Sequence, residues 1–369
     1  MSCQTYIIPF IISFIIAIPA VLAIKKIAEK FKIVDDPKDS PERRLHSYPI
    51  PLLGGAAIFI AFFLIAGYYI FYTKRIIFPT SSILPKHLMG IFLGGLILII
   101  GGFLDDKYKL KPKYSIIAPV ISAIAVIAAG VSVNYITNPF GGIIQLDLLK
   151  ITLFSWRGLP YRISLPSDLI TFFWILGMVY TTKLLDGLDG LATGITIIGA
   201  IVIFGASLNK VYVIPQVALL AIILAGACAG FLIFNFNPAK IFLGEGGSTL
   251  CGFLLASLAI LSQGKIAVTL LVMGIPILDV LWVIGRRLFS RIEKGGILEA
   301  DRKHLHHRLL DAGFSHRGAV LFLYILVGSF GLMSLFLQSK GRFVALVALA
   351  VVMIGLGMWV VWGYKKNKN

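Results

Sequence analysis

Residues 87–113 read HLMGIFLGGLILIIGGFLDDKYKLKPK. A run free of Asp, Glu, Lys and Arg ends in two adjacent carboxylates, Asp105 and Asp106, and Lys107, Lys109, Lys111 and Lys113 follow at once. The run is about the length that crosses a bilayer. A bilayer disfavours an ionisable side chain by roughly 2.5–3.5 kcal/mol at mid-span, so charge placed at the end of a span calls for a reason. Adjacent carboxylates share a site only when a cation or a proton relieves their repulsion. The pair and its lysines therefore read as a mixed site able to meet Mg²⁺ and phosphate, or as an ordinary charged loop.

The same pattern recurs along the chain. Apolar runs near 5–24, 52–73, 87–104, 114–131, 168–185, 190–208, 211–234, 248–262, 265–285, 318–338 and 342–363 give eleven candidate spans. The 369 residues are 58% hydrophobic and 14% charged, with mean hydropathy +0.92. A soluble domain would carry about a quarter charged residues. The fold class is an all-α polytopic membrane protein of about 10–11 transmembrane helices, with residues 1–369 forming one domain. Segment 132–167 holds short strand-like stretches from Gly141 and Ile151 and predicts a small outer β-hairpin. Cys3, Cys228 and Cys251 show neither metal nor disulfide spacing.

The formal charge of +17 is spread over many short loops, which suits membrane topology and not nucleic acid. With the N-terminus outside, the inside segments are 25–51, 105–113, 186–189, 235–247, 286–317 and 364–369. They hold 23 of the 34 Lys and Arg residues. The acidic residues, which played no part in setting this orientation, follow it: of 17, only Asp147 and Asp168 fall outside. Five of the six histidines are also inside. The expected location is the cell membrane, with catalytic loops on the cytoplasmic face.

Three further clusters lie at span ends. Asp186 and Asp189, in KLLDGLDGLATG, share a face if the segment is helical. Glu245 is ringed by Gly244, Gly246 and Gly247 ahead of a helix start, where backbone amides attract phosphate; Lys240 adds a cation. His304, His306 and His307 lie in ADRKHLHHRLL within the long inside loop 286–317, where a three-residue spacing brings His304 and His307 together on a helix. That array suits zinc, a nucleotide diphosphate held with Arg308, or lipid headgroups; the flanking Arg302, Lys303 and Arg308 favour an anion. Arg44 and His46, ahead of PIPLLGG, either touch phosphate or fix topology. Asp279 inside a span needs a partner, and Arg286 and Arg287 lie about two turns on.

Taken together, RRLHSYPIPLLGG, GFLDDKYKL, LLDGLDGLATG, NPAKIFLGEGGS, PILD and DRKHLHHRLL resemble, in this order, the polyprenyl-phosphate N-acetylhexosamine-1-phosphate transferases, in their teichoic-acid and O-antigen branch. The resemblance covers roughly residues 40–320. It implies transfer of a sugar-1-phosphate from a UDP-N-acetylhexosamine to a polyprenyl phosphate such as undecaprenyl phosphate, with release of UMP. It implies Asp105, Asp106, Asp186 and Asp189 as catalytic aspartates, with Asp105 the group that deprotonates the lipid phosphate. Glu245 and Asp186 would hold Mg²⁺, or Mn²⁺ in its place. Lys113, Lys183, Lys240, Arg44, His46, His304, His306, His307 and Arg308 would bind substrate, and a homodimer is compatible with this reading. Two positions depart from the pattern. Glu245 stands where the family has an aspartate, and Lys183 where an asparagine is common.

Two other classes remain as alternatives. A transporter would place its carboxylates at mid-span with repeat symmetry, which this sequence lacks. A CDP-alcohol phosphatidyltransferase needs Ala-Arg where Thr193-Gly194 stand.

Overall fold

The computed structural model describes residues 4–37, 48–71, 83–148, 151–156, 159–208, 213–262, 266–289 and 304–366. In chain order the helices are α1 (Gln4–Lys30), α2 (Gly54–Phe71), α3 (Pro85–Tyr108), α4 (Pro112–Ser115), α5 (Ile117–Ala128), α6 (Leu165–Leu185), α7 (Leu191–Ser207), α8 (Pro215–Asn235), α9 (Gly244–Leu261), α10 (Ile266–Phe289), α11 (Leu305–Asp311), α12 (His316–Phe336) and α13 (Ser339–Lys366). Eight helices are long and apolar enough to span a membrane, and three shorter apolar stretches lie at Gly54–Ile70, Pro112–Ala128 and Leu191–Ser207. Each of the eleven apolar runs thus becomes helical, within a few residues at its ends. Residues 114–131 break into α4 and α5. The protein is an all-α polytopic membrane protein.

Helix starts follow from local chemistry. Proline, whose missing N–H costs nothing in a first turn, opens α3, α4 and α8. Ser315 caps α12 by accepting the Gly318 amide at 3.1 Å.

Three antiparallel strand pairs complete the described residues. β3 (Tyr135–Thr137) with β4 (Ile143–Gln145), and β5 (Ile151–Trp156) with β6 (Leu159–Ile163), make two antiparallel pairs where the sequence predicts one hairpin. The pair β1 (Val34–Asp35) with β2 (Ile50–Pro51) is not foreseen. It closes the ends of the segment that carries Arg43, Arg44 and His46, which lies outside the described residues.

α9 is the axis of the bundle, 89% buried. Glycines admit its first turn. A Cβ on Gly55 of α2 would stand 2.0 Å from Gly247 Cα, and one on Gly102 of α3 would stand 2.1 Å from Gly246 Cα. The backbones of three helices therefore touch where Glu245 begins its helix. The PIPLLGG segment adds hydrogen bonds from Gly54 and Gly55 amides to the carbonyls of Phe242 and Leu243, both 2.9 Å, and from Phe242 N to Pro51 O, 2.9 Å. These contacts fix the approach to Glu245.

Candidate active site

The ends of α3 and α6 and the starts of α9 and α12 meet at one end of the bundle around a cleft of about 390 Å³. Five carboxylates line it, from Asp35, Asp106, Asp186, Asp189 and Glu245, together with Lys183 and His316. Both oxygens of Asp106 accept the Glu245 amide, at 3.1 and 3.2 Å. Gly244 sits at φ +71, and a Cβ there would fall 2.5 Å from Asp106 Oδ2, so only glycine fits this turn. Lys183 contacts Glu245 Oε1 and donates to Ser115 Oγ at 3.2 Å.

The DGLDG segment is a break between helices. α6 ends at Leu185 and α7 starts after Gly190, which sits at φ 81. Asp189 Oδ2 accepts Asn237 Nδ2 at 2.9 Å and the Ala239 amide at 3.1 Å, tying this break to the NPAK turn. The Asp189 amide donates to His316 Nε2 at 2.9 Å. Asp186 has its carboxyl pushed up to about 7 by burial, with the Glu245 and Asp189 carboxylates adding to the effect. A cation between these groups would reverse that push.

The residues fit a hard divalent cation. Mg²⁺ takes one or two carboxylates and leaves its other positions to phosphate and water. Among the described residues no three carboxylate, imidazole or thiol groups close on one point as a full protein cage would. Asp186 and Glu245, both in the cleft lining, could supply two such carboxylates, and the Lys183 ammonium already meets Glu245 as a cation would.

Other expected residues fall elsewhere. Asp105 takes the Leu110 amide on Oδ1 at 3.0 Å and is absent from the cleft lining. Lys113 is exposed, its Nζ 4.9 Å from the Tyr114 ring centre, and Lys240 is exposed as well. His304 is not within a helix beside His307: it precedes α11, in extended conformation. Its Nδ1 meets Asp279 Oδ2 at 2.8 Å, and the Leu305 amide donates to Asp279 Oδ1 at 2.8 Å. Asp279 therefore finds a partner across a loop; the side chains of Arg286 and Arg287, which the sequence offers, lie outside the described residues. His304 stacks on His306 with ring centres 5.7 Å apart, and the His307 ring lies 4.3 Å from that of His306. His306 is buried against Gly187, where a Cβ would stand 2.2 Å from its Nε2. Arg308 lines a different, apolar cleft with Leu278, Trp282 and Met353.

A further cleft of about 170 Å³, lined by Ile24, Ile27, Ile99, Phe103 and Leu243, shares Asp106 with the main one. The sequence alone assigns no role to His316 or Asp35. The signal for His316 is its place in the first turn of α12, directly after a serine cap.

The family described as glycosyl transferase family 4 matches residues 88–263. A Bacillus subtilis protein named "Probable undecaprenyl-phosphate N-acetylglucosaminyl 1-phosphate transferase" is 30% identical over 359 residues, covering 94% of this chain and 90% of its own. A Mycolicibacterium smegmatis decaprenyl-phosphate N-acetylglucosaminephosphotransferase is 31% identical over 358 residues, 89% of this chain and 82% of its own. A Desulforamulus reducens phospho-N-acetylmuramoyl-pentapeptide-transferase is 30% identical over 269 residues, 65% of this chain and 72% of its own.

Proposed function

The chain belongs to the polyprenyl-phosphate N-acetylhexosamine-1-phosphate transferases of glycosyl transferase family 4, and from that premise we propose that it joins N-acetylhexosamine-1-phosphate from a UDP-sugar to undecaprenyl phosphate or a related polyprenyl phosphate. An oxygen of the lipid phosphate attacks the sugar-side phosphorus. The bond from that phosphorus to the bridging oxygen breaks, and UMP leaves with the bridging oxygen. The product is a polyprenyl-diphospho-sugar.

The observation that carries this reading is the joining of Asp106, Lys183, Asp186, Asp189 and Glu245 in one cleft at the bundle end. The lipid phosphate is an oxyanion already, so the chemical difficulty is charge crowding, and positioning with electrostatics can meet it. Mg²⁺ held by Glu245 and Asp186 would neutralise developing charge on the diphosphate. Lys183 supplies an ammonium to the same anion. Asp106 holds the first turn of α9 in place through the Glu245 amide. Asp189 and His316 fix the DGLDG break against the NPAK turn. The polyprenyl chain lies in the apolar cleft of Ile24, Ile27 and Phe103, its phosphate reaching the shared Asp106. The cleft opens on the cytoplasmic side, in keeping with the Lys and Arg bias of the inside segments.

The test is the purified full chain with Mg²⁺, undecaprenyl phosphate and a panel of UDP-sugars. UMP release that needs the lipid, the metal and a UDP-N-acetylhexosamine supports the proposal. Release of UMP without lipid, or none with any UDP-sugar, overturns it.

A further inference from the structure

The two departures from the family pattern, Lys183 and Glu245, touch each other. The Lys183 ammonium contacts Glu245 Oε1, and the side chains are only 27% and 20% exposed. Asp106 and Asp186 line the same cleft. We propose that Lys183 is a charge-exchange residue. It neutralises Glu245 while the site is empty, gives up that carboxylate to a divalent cation, and then takes the donor's diphosphate. This inference rests on the metal and donor of the proposed function.

The physical argument is competition for one oxygen. An ammonium in contact with Oε1 and a cation bound at that oxygen are like charges within a few ångströms, and they repel strongly in a half-dry cleft. A cation that takes Oε1 therefore displaces Lys183. The freed ammonium is a compact point charge on a flexible four-carbon stem, suited to follow a phosphate. Once freed, it stands near carboxylates already occupied by the metal, so an incoming polyanion is its best partner. Metal and donor then strengthen each other's binding, and the coupling is reciprocal. The pairing also accounts for both departures together. Glutamate, longer by one methylene, meets a lysine where aspartate would face asparagine.

The test measures Mn²⁺ binding to the detergent-solubilised full chain, read by the paramagnetic resonance of free Mn²⁺ without nucleotide. Lys183→Gln is expected to bind Mn²⁺ at least about fivefold more tightly than wild type, the lower end of ordinary coupling between sites. Glu245→Gln should lose the site. The KM for UDP-N-acetylglucosamine should rise in Lys183→Gln, and the double variant Lys183→Asn/Glu245→Asp should recover much of the activity that each single change loses. Mn²⁺ affinity in Lys183→Gln within about twofold of wild type, below the range of real coupling, overturns the exchange alone if Glu245→Gln still abolishes binding. Absence of Mn²⁺ binding in wild type and Lys183→Gln alike overturns both the exchange and the metal assignment. A double variant no better than the worse single one, though folded by its melting curve, also overturns the exchange.

Discussion

The amide of Glu245 donates to both carboxylate oxygens of Asp106, at 3.1 and 3.2 Å, joining two span ends that lie 139 residues apart in sequence. This contact makes one site of two motifs. A carboxylate at a helix start also complements the positive end of the helix dipole.

Asp106→Asn turns one of these acceptors into an amide nitrogen facing an N–H donor. The first turn of α9 should shift, and misplacement of a reacting group by about 1 Å can cost on the order of 100-fold in rate. UMP release by Asp106→Asn should fall at least that far. Asp105→Asn, which weakens the bond to the Leu110 amide and removes a charge near Glu245 but leaves the Glu245 amide its acceptor, should fall less. Equal losses would contradict the separation of the two aspartates.

Glycine contacts set the stability of the same joint. Gly55→Ala and Gly102→Ala would drive a Cβ into the backbone of Gly247 and Gly246, which cannot swing away as a side-chain tip can. Each should cost about 1–3 kcal/mol or more, as overpacking does. Gly67→Ala, with nothing within 4 Å, should leave the melting temperature in detergent unchanged.

His316→Ala removes the acceptor of the Asp189 amide. A fully buried donor left unpaired costs about 1–3 kcal/mol, and this part-buried one about 1 kcal/mol at most. Both the melting temperature and the rate of UMP release should drop, and a variant that keeps full activity would remove His316 from the site.

Ile24→Trp adds bulk to the apolar cleft that shares Asp106. If that cleft takes the lipid, KM for undecaprenyl phosphate should rise by roughly tenfold, the equivalent of about 1.4 kcal/mol, while KM for the UDP-sugar stays put. A change in the UDP-sugar constant alone would place the lipid elsewhere.

His306 titrates well below its ordinary value of 6.5, through burial first and then the imidazoles of His307, His304 and His316. Below about 6.5 the unfolded chain takes up a proton that the folded chain refuses, so stability falls as pH falls; above 6.5 both forms are neutral and this dependence vanishes. The slope from this residue is at most about 1.4 kcal/mol per pH unit. Melting curves between pH 8 and 5 should show the decline, and His306→Asn should flatten it.

Hydropathy made the helices legible because each span needs a long apolar run whatever its neighbours are. The site was legible in part. Asp106, Asp186, Asp189, Glu245 and Lys183 all line the cleft, since charge at a span end is costly enough to stand out. Adjacency in sequence is a weaker guide elsewhere. Asp105 adjoins Asp106 yet is absent from the cleft lining, and Arg308 follows the histidines yet lines an apolar cleft. Asp279 takes His304, 25 residues away. Such partners depend on how loops fold back over the helix ends, which local pattern does not encode. His316 escaped notice because a lone histidine beside an arginine reads as an ordinary charged helix start.

Because α9 is sheathed by protein along nearly its whole length, Glu245 stands on a post that lipids hardly touch. Thickening or thinning the bilayer would press on the outer helices α1, α12 and α13, whose apolar windows are only 22%, 33% and 11% buried. Membrane composition can thereby alter how readily a lipid-borne acceptor is delivered while the spacing of the reacting groups stays the same.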